Sequence, residues 1–434
     1  MWRVTSSAII LAAVVNSAVY GAERGMPTVE ILGASSTEAV PTSFHGAFDP
    51  KPRLEITPQQ LVGTDQILLT TAYTWACKLT SNLSTTPSLS FDRDKCTLVS
   101  KPIFFLGGPP GGEAKGDTRS AQHWRRTYDG IVSSQAIASQ SHRERLLILR
   151  QGENKNEKMG DRFVKNTVND DVSPTVCFSG AVDGAYRDCW SAYNAFINGS
   201  IITLQGHSKR KWLARDLGPV LWPAMGYLVG GKKSSNGVRS PNSIVHQGFV
   251  YVFYNDTSRG TEDGRKGGMR LARADLADPT LTFYPLYKGA FLLDNPSLPR
   301  AFDPARMREF YGMPGGRADS FLRNDVNLWK FNVARVRGTD YFLGVSEEGG
   351  FNGVPWTLQL RVSSDLIHWS DPVGVPGEMA ESWTTGGLHY PVLRADAGEA
   401  QEIDPSGFWL FGTGSRTGLV RKKLVIQLTH SRPN

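Results

Sequence analysis

Helical periodicity is almost missing from this chain of 434 residues. Only Asp303–Tyr311 reads as one short helix, which argues against a helical fold. Cysteine is scarce, with Cys77, Cys96, Cys177 and Cys189 the full set. None stands in a C-x-x-C pair, so a structural zinc site is not expected. No His-x-x-x-His pair is present, and no bound metal or other cofactor is expected. The glycine-rich stretch Gly107-Gly108-Pro109-Pro110-Gly111-Gly112 lacks the Lys-Ser/Thr that a phosphate cradle requires. The Gly-x-Ser-x-Gly elbow of an α/β-hydrolase is also missing. Beyond the N-terminus no apolar run is long enough to cross a membrane. The charge of +7 is spread thinly, with one dense cluster at Lys209-Arg210-Lys211 that reads as a solvated turn. No basic, aromatic-laced element is present, so nucleic acid is not an expected partner.

The N-terminus has the marks of an export signal. Arg3 gives one early positive charge, Ala8 to Val15 are apolar, and small residues surround Gly21. Residues 1–21 are read as a cleaved signal and residues 22–434 as one domain, which places the protein in a secreted or periplasmic setting. Loss of Arg3 with the signal would leave a charge of +6. Four cysteines in an exported chain suggest disulfides. Of three possible connectivities, 77–96 with 177–189 is the simplest, each closing a short loop.

The most regular signal is a hairpin. Arg239-Ser240-Pro241-Asn242-Ser243-Ile244-Val245 leads into His246-Gln247-Gly248 and then Phe249-Val250-Tyr251-Val252-Phe253-Tyr254. Two strands rich in branched and aromatic residues flank a turn whose glycine supplies the needed φ freedom. Units of this kind recur, opening near Phe44, Thr127, Arg239, Asn324 and Gly387. In the first, strands are expected at Gln66–Ala76 and Ile103–Leu106. Each unit pairs a leading strand bearing polar residues with a more apolar one. Recurrence at long spacing favours an all-β, five-bladed β-propeller over a β-sandwich, which would show a strand every ten residues or so. The stretches Gly107–Gly116, Asn154–Ser173 and Asp294–Ala318 read as loops above the propeller face.

Several segments resemble a known family. The Arg239–Tyr254 hairpin is similar to the second-blade signature of glycoside hydrolase family 43 and its five-bladed relatives. Met269–Leu276 resembles the segment that follows it there. Ser363-Ser364-Asp365-Leu366-Ile367-His368-Trp369 resembles the Ser-x-Asp-Leu-x-x-Trp turn of arabinanase, invertase and levansucrase relatives. In this chain that turn reads as structural, with Asp365 capping and Trp369 packing between blades.

The resemblance implies a carbohydrate substrate and paired carboxylates, one acting as acid and one as base or nucleophile. Asp129, in Tyr128-Asp129-Gly130-Ile131-Val132, and Asp325, in Asn324-Asp325-Val326-Asn327, each head a leading strand. Asp129 is the candidate base or nucleophile. Glu347 and Glu348 are candidates for the acid, with Glu153 a competitor, and Asp325 would tune and orient that acid. Asn242 stands where relatives often carry an acid; being unable to ionise, it is a candidate for binding sugar hydroxyls. Trp124, His389 and Tyr390 complete the expected binding residues. The family's first-blade Asp-Pro could instead be Asp49-Pro50. The expected activity is hydrolysis of a plant or microbial polysaccharide or oligosaccharide. The alternatives are a non-catalytic sugar-binding propeller and a levansucrase-type transferase. A monomer with no membrane contact after signal cleavage is expected.

Overall fold

The computed structural model describes residues 27–40, 57–60, 66–70, 74–78, 96–100, 128–140, 143–155, 158–159, 162–163, 193–205, 211–221, 235–256, 268–279, 281–287, 290–291, 328–349, 356–380, 388–395, 401–414 and 418–430. Among them every regular element is a strand. The expected signal at residues 1–21, the helix at Asp303–Tyr311, the strand at Ile103–Leu106, Cys177, Cys189, Trp124 and Asp325 lie outside these residues. So do the loops at Gly107–Gly116 and Asp294–Ala318.

The strands form antiparallel meanders that follow one another along the chain. The first comprises Thr57–Gln60, Gln66–Thr70, Thr74–Lys78 and Cys96–Ser100. The second comprises Tyr128–Gln140, Arg143–Lys155, Tyr193–Gln205 and Lys211–Leu221. The third runs through Ser235–His246, Phe249–Asp256, Gly268–Asp275 and Tyr284–Tyr287. The fourth runs through Leu328–Val336, Phe342–Glu348, Trp356–Ser363 and Val373–Ala380. The fifth takes Leu388–Ala395, Phe408–Gly414 and Gly418–His430, and its fourth strand is Pro27–Ala34 from the other end of the chain.

The leading strands touch in sequence, first to second, second to third, third to fourth and fourth to fifth, and the fifth returns to the first. That closed ring of five is a five-bladed propeller with the leading strands innermost. Two expectations are refined. The run Gln66–Ala76 is two strands rather than one, and Lys211 opens the strand Lys211–Leu221 instead of ending a turn. Within the loop expected at 154–173, Lys158–Met159 and Arg162–Phe163 pair as a short ladder. Cys77 and Cys96 stand directly opposite each other in the first blade's register.

Burial explains why second strands read as unbroken apolar runs. A middle strand is covered on both faces by the neighbouring blades. In Phe249–Asp256, Val250, Val252 and Tyr254 join the core between the second and third blades. Tyr251 and Phe253 face the other way, into the core with Phe331 and Phe342 of the fourth blade. A third core, with Val345, Leu360, Leu388 and Leu410, fills the seam between the fourth and fifth blades. Each fully buried side chain of this kind contributes about 1.5–3 kcal/mol.

The Ser363–Trp369 turn has the structural role expected of it. The Asp365 carboxylate accepts the amides of Ile367 and His368 at 2.8 and 2.7 Å. Trp369 meets Phe331 edge-on at 4.7 Å and Phe253 at 6.0 Å, so it packs at the seam of the third and fourth blades. That packing requires a glycine at 344, where a Cβ would sit 2.7 Å from the Trp369 ring and 2.8 Å from Phe331 Cε2.

Candidate functional site

The innermost strands share a device that defines one end of the channel. Near its start each of the last four breaks register: between Gly130 and Val132, Arg239 and Asn242, Leu328 and Lys330, and His389 and Val392. Such bulges bend a strand and re-aim its side chains, and they gather beside functional sites. In the third and fifth blades the bulge carries Ser240-Pro241 and Tyr390-Pro391, with Ser240 at φ 52° and Tyr390 at φ 58°. A left-handed backbone at residues other than glycine is uncommon and is held only by its surroundings. The end of the channel where the inner strands begin is called the mouth below.

Just inside the mouth a belt of side chains ties the inner strands together. Ser133 Oγ accepts the Ser243 amide at 2.9 Å. Asn242 Oδ1 accepts the Val333 amide at 3.0 Å. Asn332 Oδ1 accepts the Leu393 amide at 2.8 Å. Ser133, Asn242 and Asn332 are equivalent, since each lies opposite a core residue of its second strand: Leu149, Phe253 and Val345. Each satisfies a backbone donor of the next blade that would otherwise be buried without a partner. Asn242, expected to bind sugar hydroxyls, is buried and commits its carbonyl oxygen to this belt.

Glu347 and Glu348 end the fourth blade's second strand, level with the inner-strand start at Leu328 and Lys330. Being consecutive, they face opposite sides of the blade. Glu348 shares its face with Ser346 and ion-pairs with Arg361. Ser346 Oγ donates to Glu348 Oε1 at 2.6 Å, and Arg361 Nη1 donates to Ser346 Oγ at 2.7 Å. Glu347 faces the fifth blade. Its Oε1 lies 2.5 Å from His389 Nδ1, and its Oε2 accepts the Tyr390 amide at 3.1 Å. Glu347 and His389 side chains are each 1% exposed. Lys330, across the strand pair from Glu347, places Nζ 3.5 Å from the Tyr390 ring centroid.

The structure thus brings Glu347, His389 and Tyr390 together at the seam of the fourth and fifth blades. Glu348 stands apart from them on the other face, and Asn242 belongs to the belt. Asp129 occupies the start of the second blade's inner strand, opposite Gly152, at the same end of the ring. Glu153, the competitor of Glu347 and Glu348 for the role of acid, is the partner of Tyr128 beside it. Lys330 was not anticipated; a lone lysine beside Trp329 carries no signal until the register sets it against Tyr390. Among the described residues no cluster of three or more His, Cys, Asp or Glu could hold a metal ion.

No family model matches the sequence, and no curated protein matches it. Solved structures are similar at low identity. One is the α-L-arabinofuranosidase of Podospora anserina in complex with cellotriose, at 9% identity and TM-score 0.41, covering 94% of this chain and 98% of that one. Another is a family 117 glycoside hydrolase of the marine bacterium Zobellia galactanivorans, at 10% identity and TM-score 0.37, with 92% and 90% covered. A third is a Cellvibrio cellulosa α-L-arabinanase mutant, at 12% identity and TM-score 0.38, with 86% and 91% covered. Similarity at this level assigns no activity to the present chain.

Proposed function

We propose that this propeller is an exported glycoside hydrolase that acts on a polysaccharide or oligosaccharide at the mouth where its inner strands begin. The observation that carries this reading is the clustering at that one end. Bulged inner strands, two left-handed residues and the buried Glu347–His389–Tyr390 cluster are all found there, with Asp129 at the start of the second blade's inner strand. Places where several separate elements converge are common locations of ligand sites.

Hydrolysis of a glycosidic bond needs one carboxyl to protonate the leaving oxygen. A second carboxylate must activate water or attack the anomeric carbon. Glu347 and Glu348 are poor candidates for either direct role, because both are buried, Glu347 gives both oxygens to the fifth blade, and Glu348 Oε1 is bound by Ser346 and Arg361. The reading therefore rests the chemistry on Asp129 as base or nucleophile and on Asp325, three residues before the fourth inner strand, as its partner. The test is hydrolysis of aryl glycosides and polysaccharides by the wild type, Asp129→Asn and Asp325→Asn. Loss of about 10²–10⁴-fold in kcat is expected for each variant, the usual range for removing an acid–base group. Activity equal to wild type in Asp129→Asn would remove Asp129 from the mechanism.

A second reading, glycan binding without turnover, is favoured by the commitment of Asn242 and both glutamates to structural bonds. Retention on a glycan array with no product from any arrayed sugar would establish it.

A further inference from the structure

The seam between the fourth and fifth blades holds a buried cluster for which the proposed chemistry has no direct use. Glu347 supplies both oxygens to the fifth blade: one to His389 Nδ1 at 2.5 Å, one to the Tyr390 amide at 3.1 Å. The residue it holds by the backbone is the left-handed one, at φ 58°. A conformation of that kind is costly and persists only where neighbours over-determine it. Here the carboxylate holds the amide and Pro391 follows, while the Lys330 ammonium sits over the ring at 3.5 Å.

The repeat shows that this position is specialised. In each of the last four blades the residue two beyond the core position of the second strand lies level with the bulge. The core positions are Leu149, Phe253, Val345 and Phe411, and the residues two beyond are Gln151, Asn255, Glu347 and Thr413. All four are polar, and of the four only Glu347 is charged. It is also the one whose neighbouring inner strand offers an imidazole at its bulge, His389. A carboxylate with two acceptor oxygens can take a ring N–H and an amide N–H together, whereas a side-chain amide has a single acceptor oxygen.

We propose that Glu347 is a positioning residue of the mouth, not its acid. It keeps a proton on His389 Nδ1 and holds Tyr390 in its left-handed conformation beneath Lys330. The fifth-blade wall is thereby set before a sugar arrives. A preorganised wall lowers the ordering cost of binding, so its loss is read first in affinity. The role in sugar binding rests on the carbohydrate reading of the mouth; the bonding role does not.

The test uses the full chain labelled with 15N-histidine. Long-range 1H–15N spectra identify which ring nitrogen of His389 carries hydrogen, with His389→Gln assigning the signal. Wild type is expected to show hydrogen on Nδ1. Glu347→Gln has one acceptor oxygen for two donors, so the His389 proton is expected to move to Nε2 and Nδ1 to become an acceptor. In the same variant KM for a hydrolysed glycan, or Kd for one only bound, is expected to rise about tenfold, with kcat retained within about threefold. Glu347→Asp, which keeps two acceptor oxygens, is expected to restore the Nδ1 proton and part of the affinity, and it serves if Glu347→Gln fails to fold. A wild-type His389 protonated only on Nε2 overturns the proposal, as does a Glu347→Gln variant with unchanged tautomer and affinity. A hundredfold fall in kcat at constant KM would return Glu347 to the role of acid. If the wild type neither binds nor cleaves any glycan, the functional reading fails while the spectra still decide the bonding role.

Discussion

At the scale of single residues, local chemistry was legible and distant partnership was not. Asp365 and Trp369 lie within one short turn, and their roles follow from that turn alone. Glu347 and Glu348 looked interchangeable in sequence because they are adjacent. Strand alternation sends them to opposite seams, and the partners of Glu347 come from 42 and 43 residues along the chain. The tie made by Asn242 was hidden for the same reason, since its partner Val333 lies on the next blade. The Asp365 turn yields a prediction with a sign. Burial raises the Asp365 pKa, but the hydrogen bonds from His368 and Ile367 outweigh it, and the net shift is downward from 3.8. A carboxyl with a depressed folded pKa contributes stability that is present above the unfolded value and lost as pH falls through the folded one. Asp365→Asn should therefore lower stability by about 1 kcal/mol at pH 7, the usual net worth of such bonds. The gap between variant and wild type should close as pH drops below 3.8. Urea titrations of both proteins from pH 7 to pH 3 measure it; a gap constant across that range would place the effect elsewhere.

At the scale of elements, the hairpin that marked the repeat proved accurate. His246 pairs with Phe249 across Gln247 and Gly248, at φ 47° and 80°. A two-residue turn with both central residues left-handed matches the twist of its strands. Less visible was what the end of that hairpin touches. His246 Nδ1 lies 3.5 Å from Arg335 Nη2, with the Phe342 ring edge-on at 5.0 Å and Tyr251 at 6.4 Å. Arg335 and Phe342 belong to the fourth blade, so a histidine joins the two blades at the end away from the mouth. Burial lowers its pKa from 6.5 and Arg335 lowers it further, with Asp340 opposing. The folded state then binds this proton less readily than the unfolded state. The stability it contributes is complete above 6.5 and is lost as pH falls through the folded pKa. Replacing His246 with Gln, which cannot titrate, should flatten the stability curve of the protein between pH 7 and pH 5. Chemical denaturation at half-unit pH steps decides it; identical slopes in variant and wild type would show that this histidine does not govern the seam.

For the whole molecule, five units were readable because each repeats a local pattern, but closure was not, because closure joins the ends of the chain. Pro27–Ala34 pairs with Gly418–His430, from Pro27 opposite His430 to Ala34 opposite Leu424. In sequence this short stretch has no partner within hundreds of residues, so nothing near it marks it as a strand of the fifth blade. In space it supplies the fourth strand of the fifth blade, buries Val29 in the core with Leu424 and Ile426, and leaves Leu32 outward. The belt of Ser133, Asn242 and Asn332 has the same cyclic logic, but Val392 holds the equivalent place in the fifth blade and offers no acceptor. The joint between the fifth and first blades therefore lacks this contribution from Val392, while the terminal strand completes the fifth blade itself. A chain lacking residues 27–34 should lose the fifth blade's outer edge and unfold at a lower denaturant midpoint. A synthetic peptide of residues 27–34 added in excess should restore the midpoint by mass action, because it binds the folded form alone. Disrupting the second-to-third blade tie with Ser133→Ala should cost only about 1–2 kcal/mol and should not respond to the peptide. Equal midpoints for the full and shortened chains would show that ring closure does not depend on the terminal strand, and would shift the weight of closure onto the inner strands.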